Sequence, residues 1–186
     1  MNGWRTIAAV AGFMMLTLAT ARGEGQGAFV LATKKVGTYS SKRNFDCPNH
    51  EAKSQSIAVQ ITVRNLAKTN ASIKVEWYFV AKRADTGSMV LFGEGEMPVE
   101  LTKSASTNFV VKSDVLYQHD PNCMEMNPKT DAKMVGYAVR GKSAAGDIRF
   151  EATLPSLKDI LSSPVAFEKL KKDSAAWRGA RPKSLL

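Results

Sequence analysis

Both cysteines and both histidines of this chain fall in two short segments that mirror each other. One reads Asp46-Cys47-Pro48-Asn49-His50, the other His119-Asp120-Pro121-Asn122-Cys123. Pro-Asn in each marks a turn outside the strands. Two chemistries suit the set. The first is a disulfide from Cys47 to Cys123 that ties two loops together, worth roughly 4 kcal/mol for so long a closed loop in the chain-entropy account. The second is a metal centre in which Cys47, His50, His119 and Cys123 supply two sulfur and two nitrogen ligands, a set zinc accepts. Met124, Met126 and Met134 would extend that alternative towards copper. Two cysteines in an exported chain ordinarily pair, so the expectation is a disulfide and no cofactor.

Catalytic constellations are sparse. A nucleophile needs a base and an orienting group in reach, and the only histidines sit in the two cysteine loops. No Gly-x-Ser-x-Gly elbow occurs, and Gly93-Glu94-Gly95 lacks the Lys-Ser/Thr ending of a phosphate loop. Glu94, Glu96 and Glu100 alternate, which would place them on one face of a strand, most simply a solvated one. The expectation is a chain that is not an enzyme.

Basic residues form the remaining candidate site. With 26 Lys and Arg against 17 Asp and Glu the chain is formally +9. Residues 158–186 hold 7 basic and 3 acidic side chains, half of the excess left once Arg5 is set aside. Lys169, Lys171, Lys172, Arg178 and Arg181 lie there, and Lys34, Lys35, Lys42 and Arg43 form a second cluster. Together they could hold an acidic glycan or an anionic envelope polymer. The plainer reading is a solvated basic face whose lysine stems cover apolar surface. No interleaving of aromatic and basic residues accompanies them, and the expected compartment disfavours nucleic acid as a partner.

These residues must be positioned by a fold that the rest of the sequence outlines. At 186 residues with 44% hydrophobic and 23% charged residues, the chain is neither disordered nor a polytopic membrane protein. Arg5, the uncharged apolar run from Ile7 to Ala19 and the small residues Ala19-Thr20-Ala21 read as a secretory signal cleaved after Ala21. The run is too short to span a bilayer, which needs about 20 apolar residues. A type IV pilin leader fits less well, since Gly3 is followed by Trp4 and Arg5 and no acid appears before Glu24. Residues 1–21 are thus expected to be a signal, and the mature chain to be secreted, periplasmic or at the cell surface without crossing a membrane.

Period-two alternation dominates the region 22–154. Ile57, Val59, Ile61 and Val63 mark one strand; Ile73, Val75, Trp77, Phe79 and Ala81 mark a longer one. The polar link 65–70 predicts that these two pair as antiparallel neighbours. Further strands are predicted at Phe29–Val36, Met89–Phe92, Met97–Leu101 and Thr107–Lys112. Val135–Val139 and Ile148–Leu154 are expected to pair as a hairpin around Gly141–Gly146. Seven or eight strands with no helical pattern between them predict an all-β antiparallel sandwich. Residues 155–186 predict a helical tail: Ser156 and Asp159 read as a capping box, and Ser163-Pro164 restarts a second helix. Val165, Phe167, Leu170 and Trp177 are the residues placed to pack it down.

Trp77 on its long strand, with Cys47 before it and Cys123 after, resembles the Cys–Trp–Cys pattern of immunoglobulin-like modules in bacterial exported and surface proteins. The resemblance covers about residues 28–154 and concerns architecture. Cys47 lies 30 residues before Trp77, in a loop, so the bridge it implies is a loop staple and not one between sheets. It also implies Trp77 in the core. With so little catalytic chemistry in the sequence, the expected role is non-catalytic, in structure or protein interaction at the envelope or surface, including self-assembly or pilus-like surface assembly.

Overall fold

The structure, a computed structural model, describes residues 28–44, 51–118 and 131–179, with side chains described over 28–40, 54–116 and 131–179. Among these residues there are eight strands and two helices: β1 (Phe29–Asn44), β2 (Glu51–Asn65), β3 (Ala71–Arg83), β4 (Met89–Leu101), β5 (Ser106–Lys112), β6 (Leu116–Gln118), β7 (Ala132–Ser143), β8 (Ile148–Ala152), α1 (Pro155–Ser162) and α2 (Pro164–Gly179). The strands form two antiparallel sheets. Sheet one runs β1-β2-β5, with β6 pairing β2 beyond the end of β5; sheet two runs β4-β3-β7-β8.

Alternation is what makes this a sandwich. Ile57, Val59, Ile61 and Val63 of β2 and Ile73, Val75 and Phe79 of β3 are buried in one shared core with Phe29, Phe92 and Val139. Burying such side chains from both sheets at once is the main favourable term in the fold. Trp77 packs against that core and tilts towards Phe109, ring centroids 6.1 Å apart.

Three expectations about strands and caps are corrected. First, β2 and β3 do not pair: β2 lies between β1 and β5, and β3 between β4 and β7. The polar link is a corner that changes sheets. Asn65, fully buried, builds it: its amide nitrogen donates to the carbonyls of Thr69 (2.8 Å) and Thr102 (3.0 Å), and its oxygen accepts from the Ala67 amide (2.8 Å). Second, β4 is one continuous strand through Gly93 and Gly95. Each glycine sits opposite a large aromatic, Gly95 opposite Trp77 and Gly93 opposite Phe79. A Cβ on Gly95 would fall 2.4 Å from the Trp77 ring, so the glycine accommodates its neighbour and does not end the strand. Third, α1 begins at Pro155, with Leu154 as N-cap and no side-chain cap bond, so Ser156 and Asp159 form no capping box. Proline at the first turn sets the helical φ instead.

The helical segment forms a third layer. Leu157, Leu161, Phe167 and Leu170 pack on Tyr78, Val80, Leu91 and Ala138, the outer face of sheet two. Trp177 reaches the inter-sheet core itself and is wholly shielded from solvent. Val165, expected to help pack the helix, is 82% exposed. The restart at Pro164 stands, with the Ser163 hydroxyl accepting from the Ala166 amide at 3.3 Å.

Candidate functional site

The segment 1–21 and the residues Cys47, His50, His119, Cys123 and Arg181 lie outside the described residues, as do the side chains of Lys42 and Arg43. The strands that lead into the two cysteine loops are described. Asn44 pairs with Glu51 where β1 turns towards β2, and Gln118, the last residue of β6, pairs with Lys53. The end of β1 and the end of β6 therefore lie at the same end of β2, against residues two positions apart. Among the described residues no group of His, Cys, Asp and Glu is arranged to hold a metal ion, and no helix is long and apolar enough to cross a membrane.

The two basic clusters lie on different layers. Lys34 and Lys35 are exposed on β1 of sheet one, whereas Lys169, Lys171 and Lys172 are exposed on α2, beyond sheet two. Two of the helix cations are already engaged within the fold. Arg178 bonds Glu94 at 2.8 Å, and the Lys171 ammonium lies 4.8 Å from the centre of the Phe167 ring.

The exposed part of sheet two is a self-neutralised network. Glu76 accepts hydrogen bonds from the Arg140 guanidinium and from the Tyr78 hydroxyl (3.3 Å), and Lys74 stands 3.5 Å away. Lys74 also pairs with Glu96 at 2.7 Å, and Glu100 accepts from the Ser72 hydroxyl at 2.6 Å. Glu94, Glu96 and Glu100 thus share one face, as their spacing suggested, and each has a partner. Partial burial pushes the Glu76 carboxyl up, but the Arg140 hydrogen bond and charge, helped by Lys74, outweigh it and hold the group below the ordinary carboxylate value. Burial, then the Glu76 charge, drives the Tyr78 hydroxyl far above its usual range. A carboxylate fixed as ionised beside a phenol fixed as neutral is the opposite of an acid–base pair poised near neutrality.

Sheet one presents a different surface. No described element covers its outer face, which opposite Ala58–Arg64 of β2 consists of rungs three strands wide. On the first rung Gly37, Ala58 and Lys112 align; on the second, Lys34, Gln60 and Val110. Ala32, Thr62 and Asn108 form the third, then Val30, Arg64 and Ser106 the fourth. A bulge between Lys35 and Gly37 shifts the register, which brings Tyr39 to the same face as Lys34. The Tyr39 ring lies across Gly37, where a Cβ would be 3.3 Å from it, and Lys112 is 5.5 Å from its centre. Tyr39 is 55% exposed, Val110 54% and Val30 44%. The cations of these rungs are Lys34, Arg64 and Lys112; no acid stands on the rungs, and the ion pairs of the described residues all lie elsewhere. Sequence reading found Lys34 and missed Tyr39, Arg64 and Lys112. Gly37 was the one signal of the bulge that aligns them.

No protein-family model matches the chain, nor does any curated protein. Solved structures resemble it at low similarity. A Northeast Structural Genomics Consortium target matches over 67% of this chain and 81% of its own, at 12% identity and a TM-score of 0.33. A protein described as from Akkermansia muciniphila matches over 68% and 71%, at 9% identity and a TM-score of 0.30. A β-glucuronidase from glycoside hydrolase family 2 matches over 63% of this chain but only 11% of the enzyme, at 16% identity and a TM-score of 0.31. Likeness at this level assigns neither a family nor an activity.

Proposed function

We propose that this chain is an exported, non-catalytic module of the immunoglobulin-like sandwich type, acting at the cell envelope or surface as a structural or interaction element. The observation that carries the reading is the asymmetry of the two outer faces. Sheet two is partly covered by helices and its exposed part is internally neutralised, while sheet one carries exposed Tyr39, Val30 and Val110 beside Lys34, Arg64 and Lys112. Exposed apolar side chains gathered on one face mark an interaction surface more often than chance exposure does. The strand order supports the finer architectural reading. β1-β2-β5 against β4-β3-β7-β8 corresponds to strands A, B and E against C′, C, F and G of that fold. Strand addition at β1 is disfavoured, because exposed Lys34 and Lys35 and the adjacent bulge are devices that keep an edge from pairing. The face, and not the edge, is the working surface.

Retention on the envelope tests this. In the native host, a chain carrying Tyr39→Ala and Val110→Ser is expected to wash from the envelope fraction at a salt concentration that leaves the parent bound. Lys142→Ala, on sheet two, is expected to behave as the parent. Equal retention of all three overturns the reading.

A further inference from the structure

We propose that the outer face of sheet one binds a linear anionic polysaccharide, laid along the strands. The inference rests on the interaction-module reading above and names the partner of that face. Charge complementarity selects the sign: Lys34, Arg64 and Lys112 project from three of the four rungs, and no carboxylate on the rungs competes for them. Successive same-face positions on a strand are about 6.7 Å apart, so the four rungs extend the cations over roughly 20 Å. That is a distribution for a repeating polyanion and not for one small anion.

The remaining chemistry selects a sugar. Tyr39 offers an exposed ring that lies over Gly37 with Lys112 beside it, an aromatic surface for the C–H face of a pyranose next to a cation for its carboxylate. An aromatic with few rotatable bonds gives contact area at low ordering cost. Gln60 sits between Lys34 and Val110 and supplies an amide donor and acceptor for hydroxyls. The four charged rungs are narrow for a protein partner: three strands span about 10 Å between outer axes, whereas a stable protein interface takes about 800 Å² from each partner.

Affinity electrophoresis of the purified chain decides it, with polygalacturonate, neutral dextran and polyglutamate as the polymers in the gel. Polygalacturonate is expected to retard the chain, dextran not to, and polyglutamate to do so far more weakly. The double variant Lys34→Ala/Lys112→Ala is expected to lose about tenfold in affinity, the equivalent of removing two modest charge contacts. Tyr39→Ala should lose several-fold, while Lys169→Ala/Lys172→Ala on α2 should bind as the parent. Unchanged thermal unfolding of each variant separates these losses from misfolding. Undiminished binding of the Lys34/Lys112 variant, or loss of binding in the α2 variant, overturns the proposed face. Equal retardation by polyglutamate overturns the glycan in favour of an acidic protein. Absence of polymer binding, with Tyr39-dependent envelope retention intact, removes this inference and leaves the module reading standing.

Discussion

The hydroxyl of Ser174 accepts a hydrogen bond from the backbone amide of Leu91 at 2.7 Å, in a site from which solvent is excluded. Leu91 lies on β4 beside the bulge where Phe79 pairs Gly93 and Val80 pairs Leu91. The helix thus satisfies an edge-strand donor that has no strand neighbour. Ser174→Ala leaves that amide buried and unpaired, and is expected to cost about 1–3 kcal/mol. Trp177→Ala opens a cavity in the inter-sheet core and is expected to cost about 3–5 kcal/mol. Urea titrations check both, and a change below about 0.5 kcal/mol for either would show that α2 is not part of the cooperative unit. Any search for a polyanion site on α2 must use surface substitutions such as Lys169→Ala, because deleting the helix removes core.

Gly95→Ala tests the fit of sheet two. The new Cβ would stand 2.4 Å from the Trp77 ring, a rigid group packed against the core. Overpacking of this kind is expected to cost about 1–3 kcal/mol, with a changed Trp77 fluorescence maximum in the folded state. Wild-type stability and an unaltered spectrum would mean that Trp77 has room to move.

The Glu76 network gives a pH dependence with a definite sign. Its carboxyl is held below the ordinary value of 4.5 in the folded state. A depressed folded pKa contributes stability that is present above the unfolded value and is lost as pH falls through the folded one. The chain should therefore lose stability as pH drops below about 4.5. Glu76→Gln should flatten that loss without abolishing it, because other carboxylates titrate there too. Urea midpoints at neutral and acid pH measure the difference, and parallel profiles for parent and variant would show that the Arg140–Glu76 bond adds nothing.

The pairing of Cys47 with Cys123 is the remaining proposal, supported by the ends of β1 and β6, which pair with β2 residues two positions apart. An intact mass two hydrogens below that of the reduced chain is expected, together with a loss of roughly 2–4 kcal/mol on reduction. Free thiols that protect each other when zinc is added would instead point to the metal alternative.

What could be read from the sequence followed from what a strand pattern encodes. Alternation at Ile57–Val63 and Ile73–Ala81 identified both strands and the faces they turn to the inter-sheet core, but not the burial of Tyr78 and Val80 on the other face of β3, which the helices supply. It could not show which sheet each strand joins, because a hairpin and a sheet-to-sheet corner demand the same pattern. The deciding group, the buried Asn65 side chain, acts through distant carbonyls such as that of Thr102. Gly95 looked like a break because its need for space comes from Trp77 across the ladder. Tyr39 was invisible as a site residue for a similar reason. A single bulge places it on the face of Lys34, and parity read through the sequence puts it on the other.

The burial of Trp177 also has a meaning in time. A chain emerging N-terminus first has made almost every strand before this residue exists, yet the space between the sheets is completed by it. The approach of Phe29 to Gly141 joins positions more than a hundred apart, the kind of pairing that folds slowly. Until the C-terminal helix is made, the space between the sheets lacks one of its largest fully buried side chains.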